Sequence, residues 1–514
     1  MLAIGLLWLG LRILYWNGYY TEDAPGYVTD AISLALRDYH ARNHVNGLNI
    51  GTYAPVAIPI ALFGKSEIAL SLWPLFCSLL AVVSLAGAAA ILFGRRFGLL
   101  AAVLYATYPG DVFFSTVVMP DAIQAGWLSS SIFLIVLAHA GRDDRRRWTV
   151  AAGGVAMGCC HLIRANDPIL IPVGLCGVLI LSRVWKRETS SAAARSVLAY
   201  LSGWGLVVAV EGLAYLWAAH DFLLRVHVVT RHYGTMDSIR MWGLNTDPTT
   251  IPFSVFAPLT WWNQGTWGSL NQDQAYHALI FVLALASVVA GAVVIISRRA
   301  QVSDRSVAGF AVAALWFSWP LLAHQFGSQS LTHFVPMHRL SRHLVVYAPG
   351  AVFATVAGSS LVLEAASTWQ LANARRALTA AAAAILLLHL YFNWRGEQVA
   401  YGAYHRIKAT YARIRERLPQ GVQTMIADPG DLSFFDFWLN PLGVERVKMV
   451  VFANYSRCDE LTSGVVLTQS NPGWEGLNAP VIQETVERLP CLLHPPANWR
   501  LVYDGYPEKV YRIE

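Results

Sequence analysis

Charge is what this sequence has least of. Only 14% of its 514 residues are Asp, Glu, Lys or Arg, against about 25% in a soluble globular chain. That scarcity excludes an ordinary soluble protein, and the charges that remain are clustered. Cysteine is scarce too, at six residues. Cys77, Cys159, Cys160 and Cys176 fall in apolar runs, where a thiol behaves as a small hydrophobe. Cys458 and Cys491 fall near the C-terminal end. For them a disulfide, which needs an oxidising compartment, and two free thiols both stay open. The opening segment lacks the basic n-region and small-residue cleavage site of a signal peptide, and reads as a span that starts abruptly. No internal repeat is visible and the longer loops are unequal, unlike the paired halves of many secondary transporters. His324, His333, His338 and His343 are nine, five and five residues apart. That spacing lacks the four-residue His pair that stacks on one helix face to hold a metal, so no His-built metal site is expected.

What the chain has is apolar length. Hydrophobic residues make up 55% of it, with a mean hydropathy of +0.43. A span needs roughly 20 apolar residues to cross a bilayer. Eleven runs approach that length: Leu2–Trp16, Ile68–Phe93, Gly98–Phe114, Ala122–Ala140, Trp148–His161, Pro168–Val184, Ser196–Ala219, Tyr276–Ser297, Val307–His324, Leu344–Leu363 and Ala377–Phe392. Every second loop between them is basic: Arg95 and Arg96; Arg142 and Arg145 to Arg147; Arg183, Lys186, Arg187 and Arg195; Arg298, Arg299 and Arg305; Arg375 and Arg376. The positive-inside rule puts these loops in the cytoplasm. They account for the net charge of +6 without a nucleic-acid partner. Loops 17–67, 115–121, 220–275 and 325–343, and the tail, then face outward. The 19 Trp and 21 Tyr suit aromatic belts at two membrane interfaces.

The expected architecture is a polytopic α-helical membrane body, residues 1–392, with a small extracytoplasmic α/β domain, residues 393–514. The domain opens with an amphipathic helical run, 404–418. Short strand-like runs follow at Val422–Ala427, Val447–Phe452, Gly464–Leu467 and Trp499–Tyr503, set apart by turns at Asp428-Pro-Gly430 and Asn471-Pro-Gly473. In the first outward loop, Val28 to His40 has a helical spacing that puts Ile32, Ala35, Leu36 and Tyr39 on one face, as in a helix lying in the membrane interface.

Carboxylates at the edge of hydrocarbon are costly unless partnered or used. Glu22 and Asp23 follow the first span, and Asp121 stands where the third turns into the fourth. The plainer reading makes them solvated groups or, for Asp121, a helix N-terminal residue favoured by the dipole. Arg339, Arg342 and His343 lie before the tenth span and Arg164 after the fifth. They suit either an anionic ligand, through Arg's planar fork, or ordinary snorkelling to headgroups. Trp242, Trp261, Trp262 and Trp267 in loop 220–275 fit a sugar-binding surface and an interfacial belt alike.

The stretch Glu22-Asp23-Ala-Pro-Gly-Tyr27 resembles the first-loop acidic motif of the GT-C membrane glycosyltransferases. In the protein mannosyltransferase and lipid A aminoarabinose transferase branch that motif reads Asp-Glu-x-x-Tyr. Asp23 and Tyr27 keep its spacing, and Ala24 stands in place of the second acid. Leu62 to Leu70 and Leu92 to Pro109 are similar to the runs that follow. Met119-Pro-Asp-Ala122 is similar to the family's second-loop Asp, His161-Leu-Ile-Arg164 to a basic position, and Arg339 to Pro349 to a late Arg-containing segment. The resemblance covers roughly residues 1–350. It implies a GT-C fold of about eleven spans and an inverting transfer of a sugar from a polyprenyl-phosphate donor to a hydroxyl of a glycan, lipid or protein acceptor. No cofactor is implied. Asp23 would be the general base and Asp121 would orient it or the acceptor. Glu22, Tyr27, Arg164, Arg339, Arg342 and His343 would bind substrate. The expected location is the bacterial inner membrane. The alternatives are a transporter or flippase of lipid-linked saccharides, with Glu211 and Arg12 as its few intramembrane ionisable groups, and a polymerase or ligase.

Overall fold

The computed structural model describes residues 2–19, 24–38, 45–141, 143–164, 167–234, 279–298, 302–326, 344–367, 372–427, 429–469, 485–504 and 508–513. Apolar runs fold as helices because a helix satisfies every backbone polar group within one segment, which a bilayer demands. The helices are α1 (Leu2–Leu14), α2 (Ala24–Ala35), α3 (Ile50–Phe63), α4 (Glu67–Phe93), α5 (Arg95–Ala106), α6 (Pro109–Phe114), α7 (Pro120–Ala140), α8 (Asp143–Ile163), α9 (Asp167–Ile180, continued by a π-turn, Leu181–Trp185), α10 (Ser190–Ala219), α11 (Leu224–Gly234), α12 (Ile280–Arg298), α13 (Asp304–Phe326), α14 (Leu344–Ser367), α15 (Ala372–Arg417) and α16 (Pro429–Leu439). Among the described residues six are long and apolar enough to cross a membrane, over Glu67–Phe93, Pro120–Ala140, Ser190–Ala219, Ile280–Ser297, Asp304–His324 and Leu344–Ala366. Helices α1, α3 and α9 are shorter apolar ones. Each of the eleven apolar runs contains or lies within helix, but these lengths do not establish a count of eleven crossings.

Two local departures have plain causes. The run Gly98–Phe114 is two helices, α5 and α6, rather than one. Pro109 opens α6, and the residue before a proline is pushed out of the α region, as Tyr108 is, at φ −71° and ψ 120°. Helix α2 starts earlier than its spacing suggested and buries Ala24, Tyr27, Val28 and Ala31, because it packs on α3. Leu36 is exposed, and Tyr39 lies outside the described residues.

Helices α4, α7, α8 and α10 pack in series, and α14 packs on α12 and α13. Small residues let backbones meet: a Cβ on Gly154 would overlap the Tyr200 carbonyl, and one on Gly203 the Ala151 carbonyl. The 46-residue α15 runs unbroken from the last apolar run through residue 392 into the tail. At 1.5 Å per residue it is roughly 69 Å long.

The tail carries a five-stranded sheet in the order β2-β1-β3-β5-β4. Its strands are β1 (Thr424–Ala427), β2 (Lys448–Val451), β3 (Gly464–Gln469), β4 (Trp499–Asp504) and β5 (Glu508–Ile513). Strand β1 pairs in parallel with β2 and β3, while β5 is antiparallel to β3 and β4. Four of these match the strand-like runs; β5 and α16 do not, α16 beginning where Asp428-Pro-Gly430 read as a turn. Cys458 and Cys491 form a disulfide.

Candidate functional site

At the start of α7 stands an ion pair. Asp121 lies in the first turn of α7 and is fully buried. Arg164, the residue after α8, donates from Nη1 to Asp121 Oδ1 at 3.2 Å. Asp121 Oδ2 is buried and has no hydrogen-bond partner among the described residues. Gln124, one turn on, donates from Nε2 to the carbonyls of Cys160 and Arg164, each at 3.3 Å. The start of α7 and the end of α8 are thus bound together by backbone and side chain.

Sequence reasoning missed the neighbours. Tyr347, in the first turn of α14, is 1% exposed, and its hydroxyl lies 2.9 Å from His324 Nδ1 near the end of α13. Tyr108, the residue before α6, is fully buried as well. Tyrosine is abundant in this chain, so nothing in its spacing marked either one. The one available signal was Tyr347's place four residues after His343.

Tyr27 is buried on α2, where its hydroxyl accepts from Asn49 Nδ2 at 3.0 Å and donates to Asn46 Oδ1 at 3.4 Å. It fastens α2 to the turn before α3. Helix α3 in turn docks on α8: Thr52 Oγ1 donates to the Ile163 carbonyl at 3.3 Å, one residue before Arg164, and Gly51 leaves room only for Leu162 and Ile163. Tyr27 therefore reaches the Asp121–Arg164 pair through packing rather than by contact. Glu22, Asp23, Arg339, Arg342 and His343 lie outside the described residues, as do His333, His338 and the four tryptophans of loop 220–275. Ala24, which follows Asp23 in the chain, is buried at the start of α2.

Just before Asp23, the chain is gripped. Gly18 has φ +71° and faces the Glu67 carboxylate, which leaves no space for a side chain. The Tyr19 amide donates to Glu67 Oε1 at 3.1 Å. The Tyr19 ring stacks on Phe437 of α16 at 4.3 Å, and its hydroxyl donates to the Ser433 carbonyl at 3.0 Å.

Arg12 and Glu211 are both committed to internal partners. Arg12 pairs with Asp111, which also accepts from Ser78 at 2.5 Å and Tyr105 at 3.0 Å. Glu211 pairs with His161 at 2.7 Å and Arg225 at 2.5 Å and accepts from Tyr215 at 3.1 Å. Both networks join helices: α1 to α4, α5 and α6, and α8 to α10 and α11. Among the described residues no group of three or more His, Cys, Asp or Glu is placed to hold a metal ion.

Residues 53–216 match the family model described as dolichyl-phosphate-mannose-protein mannosyltransferase. No curated protein matches the chain in sequence. Among solved structures, ArnT of Cupriavidus metallidurans bound to undecaprenyl phosphate is 14% identical with a TM-score of 0.57, over 100% of this chain and 98% of that one. The Archaeoglobus fulgidus oligosaccharyltransferase with Zn and sulfate is 14% identical with a TM-score of 0.56, over 100% and 72%. The same organism's AglB with an inhibitory peptide and a dolichol-phosphate is 13% identical with a TM-score of 0.53, over 100% and 74%. Residues 53–216 thus match a protein mannosyltransferase family model, and the fold of the whole chain is similar to those of ArnT and AglB.

Proposed function

We propose that this protein is an inverting glycosyltransferase that moves a sugar from a polyprenyl-phosphate carrier to a hydroxyl acceptor on the extracytoplasmic side of a bacterial inner membrane. The observation that carries the reading is Asp121: a fully buried carboxylate with one oxygen held by Arg164 and the other unpartnered among the described residues. An acceptor hydroxyl or a sugar hydroxyl would satisfy that oxygen. The basic loops and the Cys458–Cys491 disulfide, which suits an oxidising compartment, support the sidedness.

The chemistry suits what the chain offers. In one displacement the acceptor oxygen forms a bond to the anomeric carbon while the bond from that carbon to the carrier phosphate breaks. The electron pair leaves with the phosphate, already a stable anion, so no general acid is needed. The acceptor proton passes to a carboxylate, the role given to Asp23. Asp121 orients the acceptor. Arg339, Arg342 and His343 receive the departing phosphate. Arg164, already paired, balances Asp121 and reaches the phosphate only if that pair opens.

The test is transfer from a defined polyprenyl-phosphate sugar by the purified protein in nanodiscs. Asp23→Asn and Asp121→Asn are expected to stay folded and to lose about 10²-fold or more of the rate, the scale of a lost acid–base group. Full activity in Asp23→Asn would remove it as base. Carrier transport in proteoliposomes without sugar transfer would overturn the enzyme reading in favour of a flippase. Arg12 and Glu211 being locked in helix-joining networks speaks against that outcome.

A further inference from the structure

We propose that the junction between α15 and α16 is a positioning clamp for the first loop, fixing the chain immediately ahead of Glu22 and Asp23. The inference rests on the glycosyltransferase reading only for its catalytic consequence; the clamp itself is a matter of geometry.

Residues Trp16 to Tyr19 leave α1 without forming a helix or strand. Backbone without regular partners must be satisfied some other way. Here the partners of the Trp16, Asn17 and Tyr19 carbonyls come from residues almost 400 positions away, while the Asn17 and Tyr19 amides donate to Thr116 and Glu67. His405 Nε2 meets the Trp16 carbonyl at 3.1 Å. Lys408 Nζ donates to the Asn17 carbonyl at 3.0 Å and also pairs with Glu67. Glu67 accepts from the Tyr19 amide at 3.1 Å, and Tyr404 donates its hydroxyl to the Tyr19 carbonyl. From the other side Phe437 stacks on the Tyr19 ring at 4.3 Å. Lys65 ties the far end of the same loop to α16 by donating to the Asp436 carbonyl at 2.9 Å. Both ends of the loop are thus held by the C-terminal part of the chain.

The design has two properties that plain docking does not require. First, the contacts fall on the backbone carbonyls of Trp16, Asn17 and Tyr19 and on the Tyr19 amide. They fix chain direction as well as proximity. Second, Glu67 and Lys408 form one shared pair, with side chains 17% and 20% exposed. Each member also grips the loop, so losing either frees two attachments at once. Four residues beyond Tyr19 stands Asp23, and a displacement of about 1 Å at a reacting group can cost 10²-fold in rate. Lys408 and Glu67 are positioning residues on this account, touching no substrate.

Two measurements on the full-length protein in nanodiscs decide it. Hydrogen–deuterium exchange is read over residues 16–31, and kinetics with a polyprenyl-phosphate sugar are read as kcat and donor KM separately. Lys408→Met is expected to raise exchange at 16–24 while the α7–α8 region keeps its protection, and to lower kcat at least tenfold with donor KM within about twofold. Lys408→Arg, which keeps charge and reach, is expected to restore most of both. Unchanged exchange in Lys408→Met overturns the clamp. Raised exchange with undiminished kcat overturns its positioning role. A global loss of protection overturns it too, unless Tyr404→Phe, which deletes one hydroxyl, gives the local pattern. A wild-type protein inactive with every donor would sink the enzyme reading instead, and the exchange arm would still decide the clamp.

Discussion

The Asp121 side chain stands between two features, the first turn of a helix, with its free N–H groups, and the Arg164 guanidinium. Its place at the edge of an apolar run made it legible in sequence, because charge there is expensive. Arg164 was legible too, but as a phosphate ligand; its partnership with Asp121 depends on how α8 ends beside α7, which no local pattern encodes. The Tyr347–His324 contact stayed hidden for the same reason, since it is tertiary. His405 offers a residue-scale prediction. Partial burial holds its imidazole below the ordinary value of 6.5, opposed by the hydrogen bond to Trp16, with nearby Lys408 lowering it further and Glu67 raising it. The folded state therefore binds fewer protons than the unfolded one just below pH 6.5. The stability this neutral histidine contributes is complete above that pH and is lost as pH falls toward the depressed value. Thermal melts of the wild type and His405→Gln in nanodiscs should converge between about pH 7.5 and 5.5, with the wild type losing its advantage in acid. Parallel melting curves across that range would show that His405 carries no such coupling.

At the scale of elements, the helices were readable because apolar runs in this chain have one satisfactory fold. Their ends and faces were less so. Pro109 split one run into α5 and α6, and a partner helix rather than the membrane chose the buried face of α2. Helix α16 was missed since Pro and Gly at its start also mark turns, and Pro at a helix's first position is favoured for the same fixed φ. The close crossing of α8 and α10 yields a sharper consequence. Gly154 and Gly203 face carbonyls of the opposite helix, so even one methyl group has no room. Gly203→Val should force the helices apart at a cost of about 1–3 kcal/mol, the range for overpacking. Because α8 ends beside Arg164 and α10 carries Glu211, the shift should also reach the ion pairs at that end of the bundle. The measurement is the melting temperature together with transfer rate. A Gly203→Val protein with wild-type stability would show that the two backbones are not in contact.

Across the whole molecule, the tail is less separate than composition implied. The sequence drew a border at residue 392, where hydropathy drops, but α15 passes through it and the packing does not respect it. Strand alternation sends Met425, Ala427, Val465 and Leu467 to one face of the sheet and Ile426 and Val466 to the other. The first face joins the same core as Tyr19, Tyr27 and the membrane helices, by way of Tyr404, Tyr411, Phe434 and Phe437. The second face closes its own small core with Phe452, Leu489, Trp499 and Ile513, and there the Cys458–Cys491 disulfide sits. The two faces should therefore fail separately. A disulfide closing a loop of this length, 33 residues apart, is worth about 2–4 kcal/mol, and its loss falls on the face without support from the body. Replacing both cysteines with serine should raise hydrogen exchange and protease cutting across 452–469 and 489–513. The α15–α16 junction, and with it residues 16–19, should keep its protection. Loss of protection at both places together would mean that the sheet's outer core also holds the first loop, and that the tail acts as one cooperative block.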